Sequence, residues 1–173
     1  MTPASRDDFA RLDLAPFVLT DSDALFLIRG DAEAMRHWDW QGDASREDTA
    51  MVARGMLKDV EAGSARFWTV RRTSDGAFVG VVDLSEIDGQ EADLGFMIRR
   101  EFWGQGYAFA AATLAVRNAW AMGLARLRAR IHADNARSQK LLERLGFALQ
   151  DERNIEVRLG VTKPCRFFLL QRN

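Results

Sequence analysis

Cysteine is almost absent. Cys165 is the single one in 173 residues, which excludes an intramolecular disulfide framework and a cysteine-built metal centre. Histidine is nearly as scarce: with only His37 and His132, a zinc site or a Ser-His-Asp triad has little to draw on, and no metal is expected. Net charge is missing too. Lys and Arg (24) and Asp and Glu (25) cancel to -1, so the overall field attracts neither nucleic acid nor an anionic membrane. Any basic site has to be local. No apolar run approaches the length that spans a bilayer, and "MTPASRDDFARLDL" at the start is acidic and polar, unlike a targeting segment. The expectation is a soluble cytoplasmic protein. What the chain does have is 47% apolar residues, enough for the core of one domain over 1–173.

Along the chain, "LAPFVL" (14–19) predicts a strand, followed by a helix that Thr20 or Asp21 caps and Gly30 ends. "SREDTAMVARGMLKDVEAG" (45–63) reads as a second helix, opened by a Ser45/Asp48 capping pair. From Ala65 the period changes. "ARFWTVRR" and "AFVGVVDLSEI" are β-branched and aromatic around the turn "TSDG", and "EADLGFMIR" (91–99) is a third strand. A long helix is expected over 104–122, a strand over 126–133, a short helix in "DNARSQKLLERLGF" and a last strand over 166–172. "QDERNIEVRLGVTKP" (150–164) reads as a connection. The sum is a mixed α/β domain and not a doubly wound sheet.

"IRREFWGQGYAFAAATLAVRNAW" carries the chemistry. A helix start exposes unpaired N–H groups at the positive end of the macrodipole, and glycines just ahead let the backbone curl around an anion. Gly104 and Gly106 stand there, with Arg99 and Arg100 upstream. A diphosphate fits such a place, although a glycine pair between strand and helix also serves as a plain tight turn. About 30 residues on comes "NARSQKLLERLGF", with Asn135 opening a helix, Ser138 three residues later and Gly146-Phe147 closing it. The pair of segments with a strand between them resembles the Gcn5-related N-acetyltransferase (GNAT) superfamily. Trp103, Gly106 and Ala108 occupy its phosphate-binding motif, and Asn135, Ser138, Gly146 and Phe147 its second motif. "FWGQGYA" preceded by "ADLGFMI" looks like the RimJ/RimL branch. Two positions depart from the pattern: Leu142 stands where many members have a tyrosine that serves as general acid to the departing thiolate, and Ala110 where the branch commonly has a carboxylate.

The resemblance implies a GNAT fold, a mixed central sheet of about seven strands flanked by about four helices. It implies an N-acetyltransferase that moves acetyl from acetyl-CoA to a primary amine by direct attack on the thioester, with no metal. The pyrophosphate would lie on the N–H groups of Trp103, Gly104, Gln105, Gly106, Tyr107 and Ala108, with Arg99 or Arg100 neutralising charge. The pantetheine arm would pair with the edge of Phe96, Met97 and Ile98, because a string of amides satisfies an open strand edge. Asn135 would cap its helix or touch the arm, and Lys140 with Arg137 would reach the adenosine 3′-phosphate.

For catalysis the resemblance points to Ser138 as hydrogen-bond donor to the departing thiolate and to Asp93 or Glu91 as base, with Glu86 a further choice. Each has a plainer reading: a serine satisfied by its own helix, edge carboxylates facing water, and an amine that sheds its proton to solvent without a dedicated base. His132 reads as structural. Trp38, Trp40 and Asp39, with Asp43, lie where the family builds its acceptor pocket and would receive a cationic amine through ring faces and carboxylates; two tryptophans closing a core is the alternative. The acceptor would be a protein N-terminus, a polyamine or another small amine, not nucleic acid or membrane, and open strand edges permit a homodimer. A non-catalytic module that binds acyl-CoA and reports it to a partner is the competing function.

Overall fold

The structure, a computed structural model, describes residues 11–172; the polar segment 1–10 and Asn173 lie outside the described residues. Seven strands and four helices follow one another: β1 (Leu12–Pro16), α1 (Ser22–Arg29), α2 (Arg46–Glu61), β2 (Arg66–Arg72), β3 (Phe78–Asp88), β4 (Glu91–Ile98), α3 (Tyr107–Ala121), β5 (Arg126–His132), α4 (Ala136–Arg144), β6 (Ala148–Arg158) and β7 (Val161–Gln171). The strands form one sheet in the order β1-β2-β3-β4-β5-β7-β6. All neighbours are antiparallel except β4 and β5. This is the mixed sheet expected from the sequence.

The two faces of the sheet carry different helices, and the alternation of side chains along each strand decides which residue serves which face. α3 packs on one face through a stripe of buried alanines (Ala111, Ala112, Ala115 and Ala119) that brings its backbone close to Val82, Leu84 and Leu94. Leu142 of α4 joins the same cluster. On the other face Leu25 and Ile28 of α1 and Ala53 of α2 cover Val81 and Phe78. Local chemistry sets the helix ends. Ser45 N–H donates to Asp48 (2.9 Å) and Asp48 N–H to Ser45 Oγ (3.2 Å), closing the capping box read from the sequence.

Three boundaries differ from the sequence reading. β1 begins at Leu12 and ends at Pro16, because Leu12 and Leu14 pair with Arg72 and Val70 while Val18 and Leu19 are exposed. The long helix starts at Tyr107 rather than 104: a 3-10 turn over Arg100–Phe102 and two left-handed glycines come first. The segment 150–164 is no loop. It forms most of β6 and the start of β7, a hairpin whose tip is Leu159 and Gly160. Its charges alternate with Ile155 and Val157, the period of a strand with one wet face.

Candidate active site

β4 and β5 are paired only from Glu91 to Asp93 and from Arg126 to Arg128, after which no pair joins them. Parallel strands that separate leave the edge of β4 open over Gly95 to Ile98. A cavity of about 910 Å³ occupies the opening and runs to the start of α3. Phe96, Met97 and Ile98 line it on the strand side, and Trp103, Gly104, Gly106, Tyr107 and Ala108 at the turn. Asn135, Ser138 and Lys140 close it from α4. Most of the predicted donor-binding residues therefore meet in one place. Gln105 and Arg99 do not line it.

The turn owes its shape to Gly104 (φ 75) and Gly106 (φ 85), conformations that an L side chain adopts only at a cost. Open space lies before them, since a Cβ on either would meet nothing within 4 Å. No side chain caps α3 and no acidic residue sits in its first turn, which leaves the positive end of the helix free for an anion. Trp103 anchors the turn to the sheet by donating its indole N–H to the Ile98 carbonyl at 2.7 Å.

Of the expected cations, the two upstream arginines are engaged by carboxylates, whereas Arg137 and Lys140 line the cavity. Arg99 pairs with Glu101 (3.0 Å) and donates to the Phe78 carbonyl (3.1 Å), and Arg100, although it lines the cavity, pairs with Asp31 (2.9 Å). α4 supplies charge instead. Arg137, Lys140 and Arg144 all face the cavity, with Arg137 over the Trp103 ring at 4.9 Å and Arg144 over Phe109 at 3.8 Å. Arg144 was missed in the sequence, where its spacing of seven from Arg137 already put both on one helix face. Asn135 caps α4, its Oδ1 accepting from the Ser138 N–H at 3.1 Å.

The predicted bases lie elsewhere. Asp93 accepts from Arg128 at 2.7 Å, and Glu91 pairs with both Arg126 and Arg128. Their alternating arginines on β5 hold them where the two strands are still joined. Glu86 is exposed in a bulge with φ 49. Asp83, on β3, was passed over in the sequence reading. It is half-buried, and burial pushes its carboxyl up to about 7, a hydrogen bond from Ser85 opposing the shift and the Asp93 charge adding to it.

A second cavity of about 400 Å³ lies between the loop after α1 and the β6–β7 hairpin. Trp38 and Arg36 line both cavities, so the two adjoin. Trp40 lines the second only and lies 5.0 Å from Trp38. The expected carboxylates are already engaged. Asp39 is held by Arg130 and by His132 Nε2 (3.0 Å); burial alone would raise its carboxyl, but these bonds outweigh burial and keep it below the usual range. Asp43 behaves alike, its burial outweighed by hydrogen bonds from Arg29 (2.6 Å) and Thr49 (2.6 Å). Arg36 pairs with Glu33 (3.3 Å), and the charges left on this cavity are two cations, Arg158 and Lys163. His132 is buried with Nδ1 unpartnered, and His37 Nδ1 pairs with Asp134 at 3.3 Å.

Sequence comparison decides the family. The acetyltransferase (GNAT) domain profile matches residues 11–148. The chain belongs to that family. It is an acetyltransferase whose acetyl donor is acetyl-CoA, and the left-handed glycines, uncapped helix start and α4 cations suit the diphosphate and 3′-phosphate of that donor. Among curated proteins it is similar to the uncharacterized N-acetyltransferase YoaA of Bacillus subtilis (strain 168), 24% identical over 140 residues, which are 79% of each chain. Its fold is that of the microcin C7 self-immunity acetyltransferase MccE, solved with acetyl-CoA and AMP (TM-score 0.85, 18% identity, 99% of this chain and 98% of that one). The ribosomal L7/L12 alpha-N-protein acetyltransferase RimL, solved with coenzyme A, shares it too (TM-score 0.84, 19% identity, 98% and 96%). No helix of this GNAT chain, among the described residues, is long and apolar enough to cross a membrane.

Proposed function

We propose that this GNAT domain is a RimJ/RimL-like enzyme that transfers acetyl from acetyl-CoA to a primary amine on a small molecule or a protein N-terminus. The observation that carries this reading is the meeting of the two cavities at Trp38 and Arg36. The larger takes the donor, with its diphosphate at Gly104 to Ala108 and its pantetheine amides along Phe96 to Ile98. The smaller takes the acceptor. Where β4 and β5 part, the amine attacks the thioester carbonyl directly, and a β4 backbone N–H steadies the charge that develops on oxygen. Ser138, beside the arm, donates a hydrogen bond to the leaving sulfur; a thiol of pKa about 8.5 needs little more.

The acceptor is an amine that also carries a ring, carbonyl or anionic group, not a bare polycation. Asp39 and Asp43 are held by arginines, whereas Arg158 and Lys163 form no ion pair among the described residues and stand by the Trp38–Trp40 pair. RimL is named for a protein α-amine and MccE was solved with AMP, and both kinds of molecule fit that description. Thiol release from acetyl-CoA, measured with an N-terminal peptide, an aminoacyl nucleotide analogue and spermidine, tests the reading. The first two should exceed the rate without enzyme. If spermidine alone is turned over, or none of the three, the acceptor class is wrong.

A further inference from the structure

The opening between β4 and β5 lies past Asp93, and Asp83 stands across β4 from it, opposite Gly95. In the β3–β4 register Asp83 faces Gly95. Its carboxyl leans across the glycine, because a Cβ on Gly95 would fall 2.3 Å from Asp83 Oδ1 and 2.8 Å from Oδ2. Any other residue at 95 would push the carboxyl away. Met97, two residues and about 6.7 Å along the same strand face, lines the donor cavity. Asp83 itself lines neither cavity; its carboxyl leans over Gly95, one strand in from the edge on which the end of the pantetheine arm would lie, on the face of the sheet where Trp38 packs with Met97.

Its surroundings do not explain it as a structural group. The neighbour across β2 is Phe67, and Met56 and Leu57 of α2 belong to the same apolar cluster. Asp93 on β4 is the charged group that bears on it; Arg128 on β5 is engaged by Asp93 and Glu91, and Arg130 by Asp39. No cation pairs with Asp83 among the described residues. A carboxyl held on an apolar face without an ion pair costs stability, and a valine or leucine there would pack better.

We propose that Asp83 is the catalytic base of acetyl transfer, receiving the proton of the attacking amine; this rests on the donor and acceptor assignments above. The C–N bond forms as the carbonyl π pair moves to oxygen, and one nitrogen proton passes to an Asp83 carboxylate oxygen. When that pair returns, the C–S bond breaks and its electrons leave with sulfur, which takes a proton from solvent. Asp83 gives its own proton back to solvent, so amine and thioester become amide and thiol with no other reactant. Its carboxyl, half ionised near neutrality, suits this exchange better than a carboxylate locked by arginine.

The test compares Asp83→Asn with wild type in three measurements. Calorimetric titration with coenzyme A should give equal affinities, which separates this proposal from the donor assignment. With the best acceptor of the panel above, kcat/KM of wild type should rise with pH through a midpoint near 7, and Asp83→Asn should lose about 10²- to 10³-fold at pH 8 together with that limb. Asp83→Glu should restore part of the rate and a limb. Carbon-13 spectra of aspartate-labelled protein should contain one carboxyl titrating near 7 that Asp83→Asn removes. A rate within threefold of wild type at every pH, or an Asp83 carboxyl that titrates near 4, overturns the proposal. So does an enzyme that binds coenzyme A yet turns over no amine, because then no acetyl transfer needs a base.

Discussion

Replacing Asp83 by asparagine should make the protein more stable, and the gain should depend on pH in a definite way. The carboxyl titrates at about 7 when folded against 3.8 for the ordinary group, a gap worth ~4 kcal/mol. Because the folded value is raised, the native state keeps its proton between about pH 4 and pH 7 where the unfolded chain has lost it. Asp83 is thus tolerated fully below pH 4, and the stability that its protonated form allows is lost as pH rises through 7. Asparagine keeps the shape and the hydrogen-bonding capacity toward Ser85 but never ionises. The advantage of Asp83→Asn over wild type should therefore widen by ~2–3 kcal/mol between pH 5 and pH 8. For a chain of this length that is roughly 5–10 °C in melting temperature. Differential scanning fluorimetry of both proteins over that range, without ligand, reads it directly. A melting-temperature difference that stays constant with pH would refute the idea that an unpaired carboxyl is held at this point of the sheet.

Further outcomes follow from the same geometry. Asp93→Asn should move the wild-type pH–rate limb to lower pH, because the Asp93 charge helps hold the Asp83 carboxyl up; stability should change by less than ~1 kcal/mol, since the Arg128 pair is exposed. Ser138→Ala should lower kcat about 10-fold with the KM for acetyl-CoA within about twofold, read from steady-state kinetics; unchanged kcat would remove Ser138 from the chemistry. Asp43→Ala should destabilise the fold by ~3–5 kcal/mol in urea titration, because Arg29, whose side chain is 5% exposed, is left as a buried charge without its partner.

The glycine turn and the helix cap of the candidate donor site were legible in the sequence because their signals are local. Glycines at 104 and 106 specify left-handed backbone, and Asn135 three residues before Ser138 specifies a cap; both need only neighbours in the chain to act. The helix that ends at Gly63 and the strand at 126–133 were readable for the same reason. What escaped depends on residues far apart. Whether Asp39 and Asp43 are free to meet an amine is decided by Arg130, 91 residues away, and by Arg29, and no spacing rule reveals such partners. Asp93 looked available until β5 brought Arg128 alongside. The hairpin of β6 and β7 was hidden because its charged wet face outweighs the few apolar residues that alternate with it. Asp83 did leave a trace: in "FVGVVDLSEI" it is a carboxylate inside an apolar strand run, at a position of the face that Val81 shares. That trace gains meaning only when Gly95 is known to lie across from it.

All of these chemical readings depend on where the acetyl donor binds. Calorimetric titration of coenzyme A into wild type and into Gly106→Asp, each first shown to have a cooperative thermal transition, tests this most directly. The variant puts a carboxylate at the turn where a diphosphate would lie, which opposes binding by ~3 kcal/mol or more, so affinity should fall at least about 100-fold. Equal affinities in the two folded proteins would contradict a donor held at the start of α3.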